Sequence, residues 1–320
     1  MARVYVAGSI NMDLVARAAR HPRPGETVAG THVATYPGGK GANQAIAATR
    51  MGANTALLGK LGTDAFGDQL RDFLCGQGVQ LDYLRQTAAA ATGVALIVVA
   101  ESGENSIVVV PGANALLEPD DLANVPIAAG DVVLSQFEIP LATIQQLFTR
   151  ARAIGATTIL NPAPAQPCPP DVLALADVLI LNETELAFFA DTASIALASL
   201  DTIAAAARRL RARSEQVIIA TLGALGALAV FGEQQVHIAG HRVRAVDTTA
   251  AGDTFAGAVA ARLAVGYPLE RALRDANAAA AICVQRSGAA PSIPTAAEVE
   301  ALVSAECRPN PKKIGPVDSQ

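Results

Sequence analysis

In the stretch Asp247-Thr248-Thr249-Ala250-Ala251-Gly252-Asp253-Thr254-Phe255, three residues with almost no side chain precede an aspartate at what reads as a helix start. A helix N-terminus is electropositive and carries unpaired N–H groups, so such a segment can gather an anion on its backbone. Ala250, Ala251, Gly252 and Asp253 are therefore candidates for an anion hole whose N–H groups converge on one charged group. The Asp253 side chain has two readings: a carboxylate that only complements the helix dipole, or a base working beside the bound anion.

Two further segments present bare backbone. Pro37-Gly38-Gly39-Lys40-Gly41-Ala42-Asn43-Gln44-Ala45 leads into a helix from about Ala42. It is no P-loop, because Gly41 follows Lys40 where Ser or Thr is required, and no GxGxxG fingerprint, because Gln44 stands at the third glycine position. N–H groups and the polar Lys40 and Asn43 side chains at a helix start suit a polyhydroxylated ligand, although a plain loop-to-helix turn reads the same way. Thr221-Leu222-Gly223-Ala224-Leu225-Gly226 follows the strand QVIIA, at the carboxyl end where open parallel sheets bind ligands. Its two glycines would let a flat ring or a phosphate reach the backbone, but glycine also simply makes turns.

Something must position these segments. Short apolar runs at 4–6, 55–58, 132–134, 158–160, 178–181 and 217–220 alternate with amphipathic helical patterns such as 64–75 and 141–154. The expectation is an α/β fold, a doubly wound and mainly parallel sheet with helices on both faces. Residues 12–36, with the turn His21-Pro22-Arg23-Pro24-Gly25-Glu26, and residues 93–112, with GVALIVVA and SIVVVPG around a polar turn, have no room for a crossover helix. They predict a small β-sheet that covers one edge of the main sheet, either a lid that keeps water from a reaction or an inert decoration or dimer patch.

Composition excludes some classes. A net charge of -5 argues against a nucleic-acid footprint, which needs clustered Lys and Arg. Cys75, Cys168, Cys283 and Cys307 are scattered, with no CxxC pair, which fits a reduced cytoplasmic setting. The apolar run near the N-terminus is too short to cross a membrane, and residues 306–320, rich in Pro and charge, read as a loose tail after a unit spanning 1–305.

Together the segments resemble the ribokinase family, the sugar and nucleoside kinases that lack a P-loop. GSINMD at 8–13, PGGKGANQA at 37–45, NETE at 182–185, TLGALG at 221–226 and DTTAAGDTF at 247–255 stand in the family's order and spacing across roughly residues 3–305. GGKGANQA looks more like the ribose-specific branch than the fructokinase, adenosine kinase or 6-phosphofructokinase branches. The resemblance implies ATP-dependent phosphorylation of D-ribose at its 5-hydroxyl. The alternatives are a kinase for deoxyribose, another sugar or a nucleoside, or a sugar-binding sensor without turnover.

The resemblance also assigns residues. It implies Asp253 as the general base, with the γ-phosphoryl group in the anion hole at Ala250, Ala251, Gly252 and Asp253. For the sugar it points to Asn11, Met12, Asp13, Gly39, Lys40, Gly41, Ala42, Asn43 and Glu138, with the bulk of Met12 altering the pocket wall. For the nucleotide it points to Asn182, Glu185, Thr221, Leu222, Gly223, Ala224, Leu225, Gly226 and Asn277, the last of which could equally be a satisfied polar residue of an alanine-rich helix. Magnesium would be held through water by Glu185, with Asn182 three residues earlier on the same helix face. Asp247, at the end of a strand HRVRAV, could merely cap a turn; the resemblance offers it as a potassium ligand with atoms of Thr249, Cys283, Arg286, Gly288 and Ser292. The expected partners are the sugar, ATP and a second copy of the chain paired through the lid sheet, whose edges are free, with no nucleic acid and no membrane.

Overall fold

A parallel strand buried on both faces needs apolar side chains on both, and here the alternation sorts them into two cores. Val4 and Val6 join one hydrophobic cluster, while Tyr5 and Ala7, pointing the other way, join the second. A computed structural model describes residues 2–192 and 199–306, so Cys307 and the tail expected at 306–320 lie, but for Glu306, outside the described residues.

The strands are β1 (Arg3–Ala7), β2 (Asn11–Ala18), β3 (Gly30–Gly38), β4 (Asn54–Gly62), β5 (Leu84–Thr87), β6 (Gly93–Ala100), β7 (Asn105–Val110), β8 (Val132–Gln136), β9 (Thr157–Asn161), β10 (Val178–Asn182), β11 (Val217–Thr221), β12 (Ala227–Phe231) and β13 (Gln234–Ile238). The helices are α1 (Lys40–Arg50), α2 (Ala65–Gly76), α3 (Leu141–Ile154), α4 (Pro170–Ala174), α5 (Glu183–Phe189), α6 (Leu200–Leu210), α7 (Ala251–Ala264), α8 (Leu269–Cys283) and α9 (Ala296–Glu306). Among the described residues the main sheet has the order β13-β12-β11-β10-β9-β8-β1-β4-β5, parallel throughout except for the antiparallel β12 and β13. Each of the six apolar runs expected as strands forms one in the main sheet. The β12–β13 hairpin is an addition, because the alternating alanines of ALAVF carry no strong strand signal until β11 supplies a ladder to pair with.

One expected strand is absent. Residues 241–246, HRVRAV, form none, because their neighbourhood bonds to the region of α8 instead: Asn277 Nδ2 donates to the Ala239 carbonyl at 2.7 Å, and the Val246 N–H donates to the Val284 carbonyl at 2.7 Å. The smaller sheet forms as expected from both insertions, in the order β3-β2-β6-β7. Asp64 caps α2 by accepting from the Gly67 N–H and also accepts from the N–H of Thr92, which ties the start of β6 to the main body. No helix among the described residues is long and apolar enough to cross a membrane.

Helices α1 and α7 run side by side in the same direction. Asn43 meets Asp253 at one end, Arg262 reaches the Met51 carbonyl at the other, and between them a Cβ on Gly257 would stand 2.5 Å from the Gln44 carbonyl oxygen. Only small residues allow this approach, and Ala256, Ala258, Ala260 and Ala261 are all buried. Arg262 and Asp275, paired at 2.7 Å in the interior, fasten α7 to α8. Two helix N-termini are thereby brought to one cleft.

Candidate active site

The chain enters α7 through Ala250, whose φ of 60° is a left-handed conformation that a residue with a Cβ seldom adopts. This turns the following backbone toward the cleft. The N–H groups of Gly252 and Asp253 bond to no described residue, whereas the Ala251 N–H donates to the Thr248 carbonyl at 3.2 Å. The expected convergence of N–H groups from Ala250 to Asp253 is corrected in that respect: Ala251 closes the turn instead. Asp253 is buried, 7% exposed as a residue. Its Oδ2 accepts from Asn43 Nδ2 at 3.1 Å and its Oδ1 from Gln44 Nε2 at 3.0 Å. The charge of Asp253 is also the first cause of the raised pKa of Lys40, ahead of the opposing burial, so the ammonium stays charged in the cleft.

Beside Asp253 lie the side chains expected at the sugar. Asn11 and Asp13 come from β2, one strand step apart and on one face. Met12 faces the other way and is packed in the core at 2% exposure, so its side chain does not form the pocket wall. Asp13 is held up at about 7, first by burial, then by the charges of Glu138 and Asp253, with Lys40 opposing. Its carboxylate needs the bare backbone of Gly38, where a Cβ would lie 2.2 Å from Oδ2. Glu138 accepts from the Ser9 hydroxyl and from the Lys40 N–H at 3.3 Å. Gly41 and Ala42 do not present N–H groups to the cleft; they donate to Ser9 at 3.4 Å and 3.0 Å and hold the loop. Asn43 Oδ1 is buried without a partner, an acceptor that a ligand hydroxyl would satisfy.

Several further residues of this site lie outside the residues that the sequence singles out. Asn114, in a short turn after β7, donates to Asn11 Oδ1 at 2.7 Å and accepts from the Ile10 N–H at 2.9 Å. Ser9, Gln44, Gln136 and Asn161 likewise contact the expected residues. Gln44 and Ser9 stood inside quoted motifs and could have been found there; Asn114, Gln136 and Asn161 carried no local signal.

Two cavities meet at Thr221, Thr248, Ala251 and Gly252. The first, about 220 Å³, is lined by Lys40, Asn161, Asn182, Glu185 and the turn from Ala250 to Asp253. The second, about 290 Å³ and largely apolar, runs between Gly223, Ala224, Gly226 and Asn277, a fit for a flat ring. Leu222 is buried beneath this turn, whereas Leu225 is exposed. Asn277 holds the Ala239 carbonyl and also lines the cavity, so the two readings of it coexist.

Asn182 and Glu185 do not share a helix face. Asn182 ends β10 and caps α5: its Oδ1 accepts from the Glu185 N–H at 2.8 Å, and Glu185 Oε2 accepts from the Asn182 N–H at 2.9 Å. Spacing by three is here the capping-box pattern. Burial raises the Glu185 pKa, with the Asn182 N–H and Lys40 opposing. Its second oxygen is left for a hard cation, and magnesium, which binds one or two carboxylates together with substrate phosphates, fits that donor set.

The residues implied for potassium do come together. Asp247 accepts from the N–H groups of Thr249 and Gly288, both at 2.9 Å, and Cys283 Sγ lies 3.7 Å from the Thr249 carbonyl oxygen and 3.0 Å from Ser292 Oγ. Arg286 pairs with Glu298, so only its backbone is left for a cation. One carboxylate amid carbonyls and a hydroxyl suits a large hard cation.

The family model for the pfkB family carbohydrate kinases matches residues 1–296. A ribokinase of Bacillus subtilis is 42% identical over 306 residues, covering 95% of this chain and 100% of its own. The crystal structure of a ribokinase from Thermotoga maritima superposes with a TM-score of 0.86 at 34% identity, covering 95% of this chain and 100% of that one. The structure of Arabidopsis thaliana ribokinase complexed with ribose and ATP gives a TM-score of 0.84 at 33% identity, covering 95% and 99%. With a buried carboxylate at a helix N-terminus beside two cavities, and the match running through every segment that builds them, the chain belongs to the pfkB family of carbohydrate kinases.

Proposed function

We propose that the chain transfers the γ-phosphoryl group of ATP to the 5-hydroxyl of D-ribose, giving ribose 5-phosphate and ADP. The observation that carries this reading is the placement of one buried carboxylate, Asp253, between the polar side chains around Asn43 and a cavity of about 220 Å³ lined by Lys40, Asn182 and Glu185 at the same helix N-terminus. The similar ribokinases support it.

Asn11, Asp13, Asn43 and Glu138 bind the sugar hydroxyls, and Lys40, beside both carboxylates, balances their charge. The adenine lies between the 221–226 turn and Asn277, and the phosphates extend toward Gly252. The open N–H groups of Gly252 and Asp253 hold the migrating group, and Asp253 orients the attacking hydroxyl and takes its proton. When the transition state is loose the proton leaves late, so positioning the hydroxyl matters more than the strength of the base. Glu185 would hold magnesium, which would supply charge neutralisation at the phosphates, and atoms of Asp247, Thr249, Cys283, Arg286, Gly288 and Ser292 would hold potassium, whose charge would steady the turn before α7.

The smaller sheet acts as lid and as a pairing surface for a second copy. Val33, Ile107 and Val108 are 68%, 52% and 60% exposed, and β7 is an open edge. Cys75, Cys168 and Cys283 are free thiols, in keeping with a cytoplasmic enzyme. The test is an ATP-consumption screen over ribose, deoxyribose, fructose, ribulose and nucleosides, with and without potassium. Ribose is expected to be turned over fastest; no turnover of any of them overturns the kinase reading, and a faster deoxyribose or nucleoside overturns the ribose assignment.

A further inference from the structure

We infer that a buried chain of amides makes the two oxygens of Asp253 inequivalent, so that Oδ2 takes the proton from the attacking hydroxyl while Oδ1 is held as a pure acceptor. The inference rests on the reading of Asp253 as the base.

A backbone carbonyl fixes the sense of this chain. The Ile180 carbonyl can only accept, and it accepts from Asn161 Nδ2 at 2.9 Å. Asn161 Oδ1 is therefore turned toward Gln44, whose Nε2 donates to it at 3.2 Å. At its other atom, Gln44 Oε1 accepts from Gln136 Nε2 at 2.6 Å. Neither amide can flip without setting like against like, so Gln44 must direct its NH₂ group at Asp253 Oδ1, 3.0 Å away. Gln44 and Gln136 are 0% exposed, so no solvent substitutes for a lost partner.

Both hydrogens of Gln44 Nε2 are spent, one on Asn161 and one on Asp253. A proton on Oδ1 would face that N–H head-on. Oδ2 likewise receives one donor, Asn43 Nδ2 at 3.1 Å, but Asn43 Oδ1 has no hydrogen-bond partner, so this amide, unlike that of Gln44, can turn its oxygen toward a proton arriving at Oδ2 from the sugar side. In the transfer the sugar O–H bond breaks and its proton goes to Oδ2. The sugar oxygen forms the new bond to Pγ as the bond from Pγ to the bridging oxygen breaks, and ADP leaves with that electron pair. The charged and titratable groups that face Asp253 from its neighbours are Lys40 of α1, Asp13 of β2, Glu185 of α5 and Cys283 of α8, and none of them belongs to the amide chain.

The test has a structural and a kinetic arm. A crystal structure of the wild-type enzyme with ribose and a non-hydrolysable ATP analogue is expected to place the sugar 5-oxygen within about 2.6–3.2 Å of Oδ2; contact with Oδ1 instead overturns the inference whatever the variants do. In the kinetic arm, Gln44→Met removes the donor, and Gln136→Glu offers only acceptors, which draws the Gln44 NH₂ away from Asp253. Each is expected to lower kcat by about tenfold or more and to move the acid limb of the pH–rate profile, with KM for ribose and ATP within about twofold. Wild-type kcat and pH profile in both variants overturn the inference. Asp253→Asn separates the two levels: if it keeps wild-type turnover the base reading fails, whereas an inactive Asp253→Asn beside unperturbed Gln44 and Gln136 variants sinks only the assignment of the oxygens.

Discussion

Helices α1 and α7 are neighbours, run parallel and open on the same cleft, yet they use their N-termini in opposite ways. At α1 the N–H groups are spent: Lys40 on Glu138, Gly41 and Ala42 on Ser9, and Asn43 on Gly39. What this end offers a ligand is side chains, Lys40 and Asn43. At α7 the left-handed Ala250 leaves the N–H groups of Gly252 and Asp253 open, and what this end offers is backbone. Both ends have the same macrodipole. A helix start is thus an anion site only where its donors are unclaimed, and a platform for polar side chains where they are claimed.

The contrast can be broken at its centre. Asp253→Asn should lower kcat by about 10²-fold or more while nucleotide binding survives, measured by steady-state kinetics alongside calorimetry; a near-wild-type rate would reduce Asp253 to a dipole-complementing charge. Next in size is the pair of glycines. A Cβ on Gly41 would come within 2.7 Å of Gly8 and Ser9 backbone atoms, so Gly41→Ala should destabilise the fold by about 1–3 kcal/mol and lower Tm. A Cβ on Gly252 meets nothing within 4 Å and points into open space, so Gly252→Ala should keep Tm and lower kcat/KM for ATP by about tenfold through misplacement of the phosphate. Equal effects on Tm would erase the proposed difference between the two ends.

The smallest effect belongs to pH. Asp13 sits at about 7 in the fold, above its ordinary 3.8, so burying it favours the protonated form. Its contribution to stability is lost as pH rises from about 4 to about 7. Sugar hydroxyls donate to the ionised form, so KM for ribose should climb severalfold as pH drops from 7 to 6, and Asp13→Asn should flatten that dependence. An unchanged KM across this range would remove Asp13 from the sugar contacts.

Much of this was readable locally. The parallel strands announce themselves because burial on both faces demands unbroken apolar runs, and the two insertions stand out because they lack a crossover helix. Of the glycine-rich segments, TLGALG and DTTAAGDTF were readable as loops at strand ends and helix starts. The errors have physical causes. HRVRAV alternates like a strand but finds no partner strand, since its neighbourhood bonds to the region of α8. NETE has the spacing of a shared helix face but folds as a cap, because the helix begins after Asn182 rather than before it. Met12 reads as a pocket residue alongside its neighbours, yet strand alternation turns it into the core.

The sequence by itself determined the layered architecture, the lid insertions and the residue types at the cleft, because these depend on periodicity and on runs of a few residues. Tertiary structure decided which donors are free and which are spent. That choice depends on Ser9, Asn114, Gln136 and Asn161, which reach the site across as many as 129 residues of chain, and no local pattern encodes a hydrogen bond whose two ends are that far apart.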